Sequence, residues 1–362
     1  MNNENQTIHK SDDNLTIYGW NEKLNQLKQE SIYSTLAHGR VSIVHRTCYE
    51  VISGNGLFQC ELTGNMMYGK SDDELPCTGD WVIFQPFDEH KGIIVDRLPR
   101  ERTLYRKKSG TVADKQAIAS YVDKAFIVQS LDDNFNVRRV ERFMVQIMEE
   151  NISSVLVLNK ADLDFDRQSV EEQIKHISSQ IPVFFTSIHQ LETIVRLRKS
   201  ISEGETVVFV GSSGVGKSSL VNALCEKPVL LTSDISLSTG KGRHTSTRRE
   251  MVLMDSSGVL IDTPGVREFG LAIDNPDSLA EMFEISDYAE SCRFSDCKHI
   301  DEPGCAVLEA VHNGTLDHKV YESYLKLKRE AWHFSASEHE KRKKEKSFTK
   351  LVEEVKNRKA NR

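Results

Sequence analysis

Hydrophobic and polar positions change their rhythm several times along the chain. Residues 1–35 are polar and rich in asparagine, with no sustained apolar period, and are expected to form a partly ordered extension. From about 38 to 100 come short β-rich runs separated by turn residues: Val41–Val44, Tyr49–Ile52, Leu57–Leu62, Trp81–Phe84 and Gly92–Val95. Five short strands in about sixty residues predict a small barrel of OB type over 36–103. Between 104 and 275, apolar strands alternate with amphipathic helices, the pattern of a parallel sheet covered on both faces. The expected strands are Ala125–Val128, Val155–Leu158, Val183–Phe185, Val207–Val210, Met251–Met254 and Val259–Ile261. Within Arg138–Glu150, one helical stripe holds Val140, Phe143, Met144, Ile147 and Met148, which are therefore expected in the core. A cysteine-containing region follows over 276–335, and a basic helical tail over 336–362.

The organisation is thus multidomain α/β. No run of about 18 apolar residues is available to cross a bilayer, and the first residues lack a secretory signal, so a cytoplasmic monomer without membrane contact is expected. The formal net charge of −7 conceals an asymmetry. Lys341 to Arg362 holds ten basic and three acidic residues, leaving an acidic body with a basic tail suited to RNA phosphates.

Gly211-Ser212-Ser213-Gly214-Val215-Gly216-Lys217-Ser218 fits G-x-x-x-x-G-K-[ST] between an apolar strand and a helix that begins with Ser219. Backbone N–H groups of such a loop close around a β-phosphate. Lys217 would neutralise β and γ oxygens, and the Ser218 hydroxyl would ligate Mg²⁺. Asp262-Thr263-Pro264-Gly265 ends a strand, so Asp262 would hold the Mg²⁺ shell and Gly265 would sense the γ-phosphate.

Asn159-Lys160-Ala161-Asp162 also follows a strand. The two oxygens of Asp162 match the N1–H and 2-amino donors of guanine. Asn159 would brace the loop and contact the base, and the Lys160 stem would cover the ring. Thr186-Ser187 stands where a second guanine-contacting loop is expected, with a plain turn as the alternative. Base loops at 159 and 186 thus precede the phosphate loop at 211, which makes the order circularly permuted.

Ser238 to Arg249 reads as a mobile loop in which Thr245 or Thr247 would reach Mg²⁺ and the γ-phosphate. Ras-like enzymes carry a water-orienting glutamine just after Asp-x-x-Gly. Val266 stands here and cannot polarise water, so His244 is the candidate for that role once a partner orders the loop. Cys292, Cys297, His299 and Cys305 form a Cys₃His set suited to one structural Zn²⁺. Cys48, Cys60, Cys77 and Cys225 lack metal spacing and are expected as small core residues.

These motifs, with the run Asp262–Gly270, resemble the ribosome small subunit-dependent GTPase A family (RsgA/YjeQ) over residues about 38 to 345. The resemblance implies an OB barrel, a central permuted GTPase domain and a C-terminal zinc-binding domain. It further implies binding to the small ribosomal subunit and its rRNA, subunit-stimulated hydrolysis of GTP to GDP and phosphate in late maturation, and release afterwards. The polar extension and Thr263, often serine in the family, are departures. Two alternatives stand beside it: an RNA-binding assembly scaffold using GTP as a structural ligand, and a GTPase acting on the large subunit.

Overall fold

A computed structural model describes residues 14–67, 71, 73–107, 115–226, 228–230, 249–255, 258–263 and 276–335. His244, Thr245, Thr247, Gly265, Val266 and the basic tail lie outside the described residues.

Strands β1 (Ala37–Val44), β2 (Tyr49–Ser53), β3 (Gly56–Leu62), β4 (Trp81–Asp88) and β5 (Lys91–Arg97) form the expected barrel. Its ladder runs β1-β2-β3-β5-β4 and closes from β4 back to β1, with Arg40 opposite Trp81. Closure removes the free edges. Val41, Val51, Phe58, Cys60, Val82, Phe84 and Ile94 fill the interior, alternating with outward positions as a two-residue period requires.

The segment before the barrel, expected as a partly ordered extension, contains a packed helix. Helix α1 (Glu22–Glu30) starts at Asn21, whose Oδ1 accepts from Leu24 N at 3.1 Å. Leu15, Trp20 and Leu24 are buried against Trp81, Ile83, Leu98 and Tyr121. Only a few large side chains do this packing, too few to make a period. Arg40, 1% exposed, fastens the same junction. Its guanidinium donates to the carbonyls of Gly79, Tyr18 and Tyr121 and, at 2.9 Å, to Thr206 Oγ1.

The His38 ring lies 4.1 Å from Trp20, centroid to centroid. Burial, then the charge of Lys28, lowers its pKa to about 4. A depressed folded pKa means that the unfolded chain takes up the proton first as pH falls. Stability is therefore intact above about 6.5 and is lost down to about 4, by up to about 3 kcal/mol. His38→Phe is expected to lose about 2 kcal/mol less than the parent between pH 7.5 and 4.5 in urea unfolding. Parallel losses in the two proteins would contradict a neutral buried imidazole.

Strands β6 (Leu104–Lys107) and β7 (Lys115–Ala119) pair as a ribbon. Beyond the barrel the same continuous sheet uses β8 (Lys124–Ser130), β9 (Ser153–Asn159), β10 (Val183–Thr186), β11 (Thr206–Val210), β12 (Glu250–Leu253) and β13 (Val259–Asp262). In the order β10-β9-β8-β11-β13 all neighbours are parallel, as the alternating pattern predicts. β12 departs from this: it runs antiparallel to β13 and bridges to the barrel through Ile43 and Glu250.

Helix α2 (Val137–Glu149) buries Val140, Phe143, Met144 and Ile147 as the stripe predicts, with Met148 only half-buried. Helix α3 (Arg167–Gln173) is capped by Asp166. Helices α4 (Leu191–Arg198) and α5 (Lys217–Leu224) bury Ile194, Leu197, Leu220, Val221 and Leu224 with Phe126, Val128, Val207 and Phe209 of the sheet. Of the cysteines expected in the core, Cys60, Cys77 and Cys225 are buried, while Cys48 is half-buried.

The C-terminal unit holds α6 (Pro276–Met282), α7 (Ser286–Ala289), α8 (Ala306–Asn313) and α9 (His318–Ser335). Leu279, Phe283, Ile285, Val307, Leu316, Tyr324 and Leu327 are among its buried apolar residues. Among the described residues, no helix is long and apolar enough to cross a membrane.

Candidate nucleotide site and metal cluster

Three loops meet at the C-terminal ends of β8–β11 and β13, the edge where parallel sheets bind ligands. The first joins β11 to α5. Gly211 and Gly216 adopt φ of 149° and 96°, and a Cβ on either would lie 2.3 Å from Val128 O or from Asn159 Nδ2. Glycine is needed there because both backbone conformation and space exclude a side chain. Lys217 opens the helix, nearly buried, and its Nζ donates to the carbonyls of Gly211 and Ser212, each at 2.8 Å. Ammonium and helix N-terminus thus concentrate positive potential in one loop.

Ser218 Oγ donates to Asp262 Oδ2 at 2.9 Å. Asp262 is 1% exposed, and among the described residues its Oδ1 has no hydrogen-bond partner. Burial raises its pKa, while Ser218 and Lys217 pull it down. A hydroxyl beside a buried carboxylate with an orphaned oxygen is a donor set that fits Mg²⁺. Thr263 buries its hydroxyl against Phe209 O at 2.5 Å. Serine could make the same bond, so this departure from the family leaves the strand anchor intact.

Asn159 links all three loops. Its Nδ2 donates to Val215 O at 2.9 Å, and its Oδ1 accepts from Thr186 Oγ1 at 3.3 Å. Ala161 N donates to Thr186 O at 2.9 Å, and Ser187 Oγ donates to Asp162 Oδ1 at 2.5 Å. The Ser187 bond is the main reason that the carboxyl of Asp162, which is exposed, lies below the ordinary range. Thr186 and Ser187 are fully buried and hydrogen-bonded within this arrangement. Sequence reasoning missed Asp132, whose Oδ2 accepts from Lys160 Nζ at 2.8 Å.

In the C-terminal unit the four ligand atoms of Cys292, Cys297, His299 and Cys305 lie within 4.8 Å of one another. His299 Nδ1 is 3.6 Å from Cys292 Sγ and 3.5 Å from Cys305 Sγ, and the two sulfurs are 3.9 Å apart. These are the edges expected around a tetrahedral ion with bonds of about 2.3 Å to sulfur and about 2.0 Å to nitrogen. The cluster is compatible with a metal. Tyr321 OH donates to His299 O at 2.5 Å, and the Glu302 carboxylate accepts from the backbone of Lys298 and Ile300, fixing the ligand loop from outside.

A phosphate loop, a magnesium-type carboxylate and a guanine-type loop that comes first in the chain define a circularly permuted P-loop GTPase. Comparison with known proteins narrows the class. The description "RsgA GTPase" matches residues 97–272, and "50S ribosome-binding GTPase" matches 206–359. The small ribosomal subunit biogenesis GTPase RsgA 1 of Bacteroides thetaiotaomicron is 78% identical over 361 residues, covering all of both chains. RsgA of Leptospira interrogans is 35% identical over 94% of this chain and 96% of its own. YjeQ from Thermotoga maritima superposes with a TM-score of 0.61 at 27% identity, over 82% of this chain and 98% of that one. YloQ, a circularly permuted GTPase, gives the same TM-score at 22% identity over 85% and 99%, a likeness of fold. The chain belongs to the RsgA family of small ribosomal subunit biogenesis GTPases.

Proposed function

We propose that this protein binds the small ribosomal subunit and its rRNA and hydrolyses GTP to GDP and phosphate during late subunit maturation, with turnover stimulated by the subunit. The observation that carries the nucleotide reading is the Asn159 bridge, which joins a guanine-type loop to the phosphate loop at 2.9 Å. The ribosomal partner rests on the full-length likeness to RsgA 1.

In this reading Asp162 accepts from the guanine N1–H and 2-amino group, Asn159 and the Thr186-Ser187 loop hold Asp162 in place, and the Lys160 stem covers the ring. The phosphates lie against Gly211–Ser219, where Lys217 turns from its own loop carbonyls to the β and γ oxygens. Ser218 and Asp262 would hold Mg²⁺, which supplies charge neutralisation at the phosphates. Gly265, a threonine at 245 or 247, and His244 as the group orienting water complete the proposal from sequence. The zinc form of the Cys292–Cys297–His299–Cys305 cluster and a monomeric, cytoplasmic, membrane-free state belong to it as well. The proposed domains are 36–103, 104–275 and 276–335, flanked by the extension and the basic tail.

The deciding experiment measures GTP turnover by the protein alone, with isolated small subunits and with isolated large subunits. Stimulation by small subunits alone is expected. Stimulation by large subunits alone would move the assignment to the reading favoured by the match over 206–359. GTP binding without turnover under any condition would leave the scaffold reading.

A structural ion is also testable. Cys305 is both a member of the cluster and the N-cap of α8, with its Sγ 3.5 Å from Leu308 N. Cys305→Ser is expected to abolish retention of one zinc per chain and to reduce helical circular dichroism, because ion binding is coupled to folding of this small unit. Full zinc content in the variant, read by elemental analysis, would remove Cys305 from the ligand set.

A further inference from the structure

Asp132 lies in the turn after β8, outside every motif of the sequence. The parallel register sets Ser130 beside Asn159, and Leu131 N continues the ladder with a 2.9 Å bond to Asn159 O. The next residue therefore stands alongside Lys160. The carboxylate is already organised there: Oδ1 accepts from Ser130 Oγ at 2.7 Å and from Asn134 N at 3.0 Å, leaving Oδ2 for Lys160 Nζ at 2.8 Å. Partial burial opposes its charge, but the bonds from Lys160, Ser130 and Asn134 hold its pKa down to about 2. The Asp132 carboxylate is thus ionised throughout the neutral range. Lys160 itself has φ of 62°, a left-handed conformation, so its backbone and its ammonium are both fixed.

A partly exposed ion pair contributes little to global stability. This one instead restrains a four-carbon stem that would otherwise sample many rotamers beside the base site. We propose that Asp132 is a positioning residue for guanine-nucleotide recognition, holding Lys160 stretched so that its stem covers the base before the nucleotide arrives. This rests on the base-site reading above. Restraining one long side chain in advance is worth up to about tenfold in affinity.

The test is a double-mutant cycle in the full-length protein, read by equilibrium binding of GDP and by steady-state GTP turnover. Asp132→Asn keeps an acceptor for Ser130 and Asn134 but turns an uncharged amide toward the ammonium. It is expected to weaken GDP binding about tenfold and to raise KM, with kcat at saturating GTP unchanged. Asp132→Glu is expected to recover part of the affinity. In a Lys160→Met background, which keeps an apolar stem without the charge, Asp132→Asn is expected to have no further effect. An equal loss in both backgrounds, or no loss in the parent while Lys160→Met weakens binding, overturns the role of Asp132 but leaves the base site standing. Unchanged GDP binding by Lys160→Met likewise overturns the role of Asp132, whereas unchanged GDP binding by Asp162→Asn would overturn the base site itself.

Discussion

Lys217→Ala is expected to reduce GTP turnover by on the order of 10³-fold while leaving the unfolding midpoint nearly unchanged. The ammonium is nearly buried at the first residue of α5, within hydrogen-bond reach of two loop carbonyls. Nothing else among the described residues of the loop carries positive charge, so charge developing between the β and γ phosphates would lose its principal neutralising group. The helix N-terminus and backbone N–H groups remain, which is why nucleotide binding should weaken less than hydrolysis slows. Single-turnover hydrolysis with and without small subunits separates the two effects. A variant that binds GTP poorly yet hydrolyses bound GTP at the parental rate would assign Lys217 to binding alone.

The second large effect is a change of base. Asp162 can only accept hydrogen bonds, which suits the N1–H and 2-amino donors of guanine. Xanthine has a carbonyl at position 2, so it needs a donor opposite. Asp162→Asn supplies one. The hydroxyl of Ser187, now 2.5 Å from Oδ1, can keep donating to the amide oxygen. The variant is expected to lose GTP affinity by on the order of 10³-fold or more and to gain XTP binding and hydrolysis. Competition between GTP and XTP checks this directly. Equal preference in both proteins would mean that the base does not meet Asp162.

Much of this was legible in the sequence because the signals are local. Each nucleotide loop follows an apolar strand, and its functional residues lie within eight positions of one another. The Cys₃His set lies within fourteen residues and closes as its spacing predicts. Barrel strands were legible from alternation and turns. The unreadable parts depend on distant pairing. Asp132 meets Lys160 28 residues later through strand register, not through a motif. Arg40 meets Thr206 after 166 residues. Leu15 and Trp20 are isolated apolar residues in a polar stretch and reveal their burial only once Trp81 and Tyr121 are beside them. The antiparallel direction of β12 was likewise hidden, since a four-residue apolar run carries no orientation.

The strand order also has a consequence during synthesis on the ribosome. The strands that carry the proposed base site, β8, β9 and β10, have all emerged by Thr186, but β11, which belongs between β8 and β13, emerges only with residues 206–210. The nascent chain therefore exposes an open β8 edge until Val210 is made, and it cannot complete the proposed phosphate and magnesium site before Lys217 and Asp262. Nucleotide is a late ligand in this fold: it can stabilise the finished sheet by mass action, but it cannot template the half that carries the proposed base site.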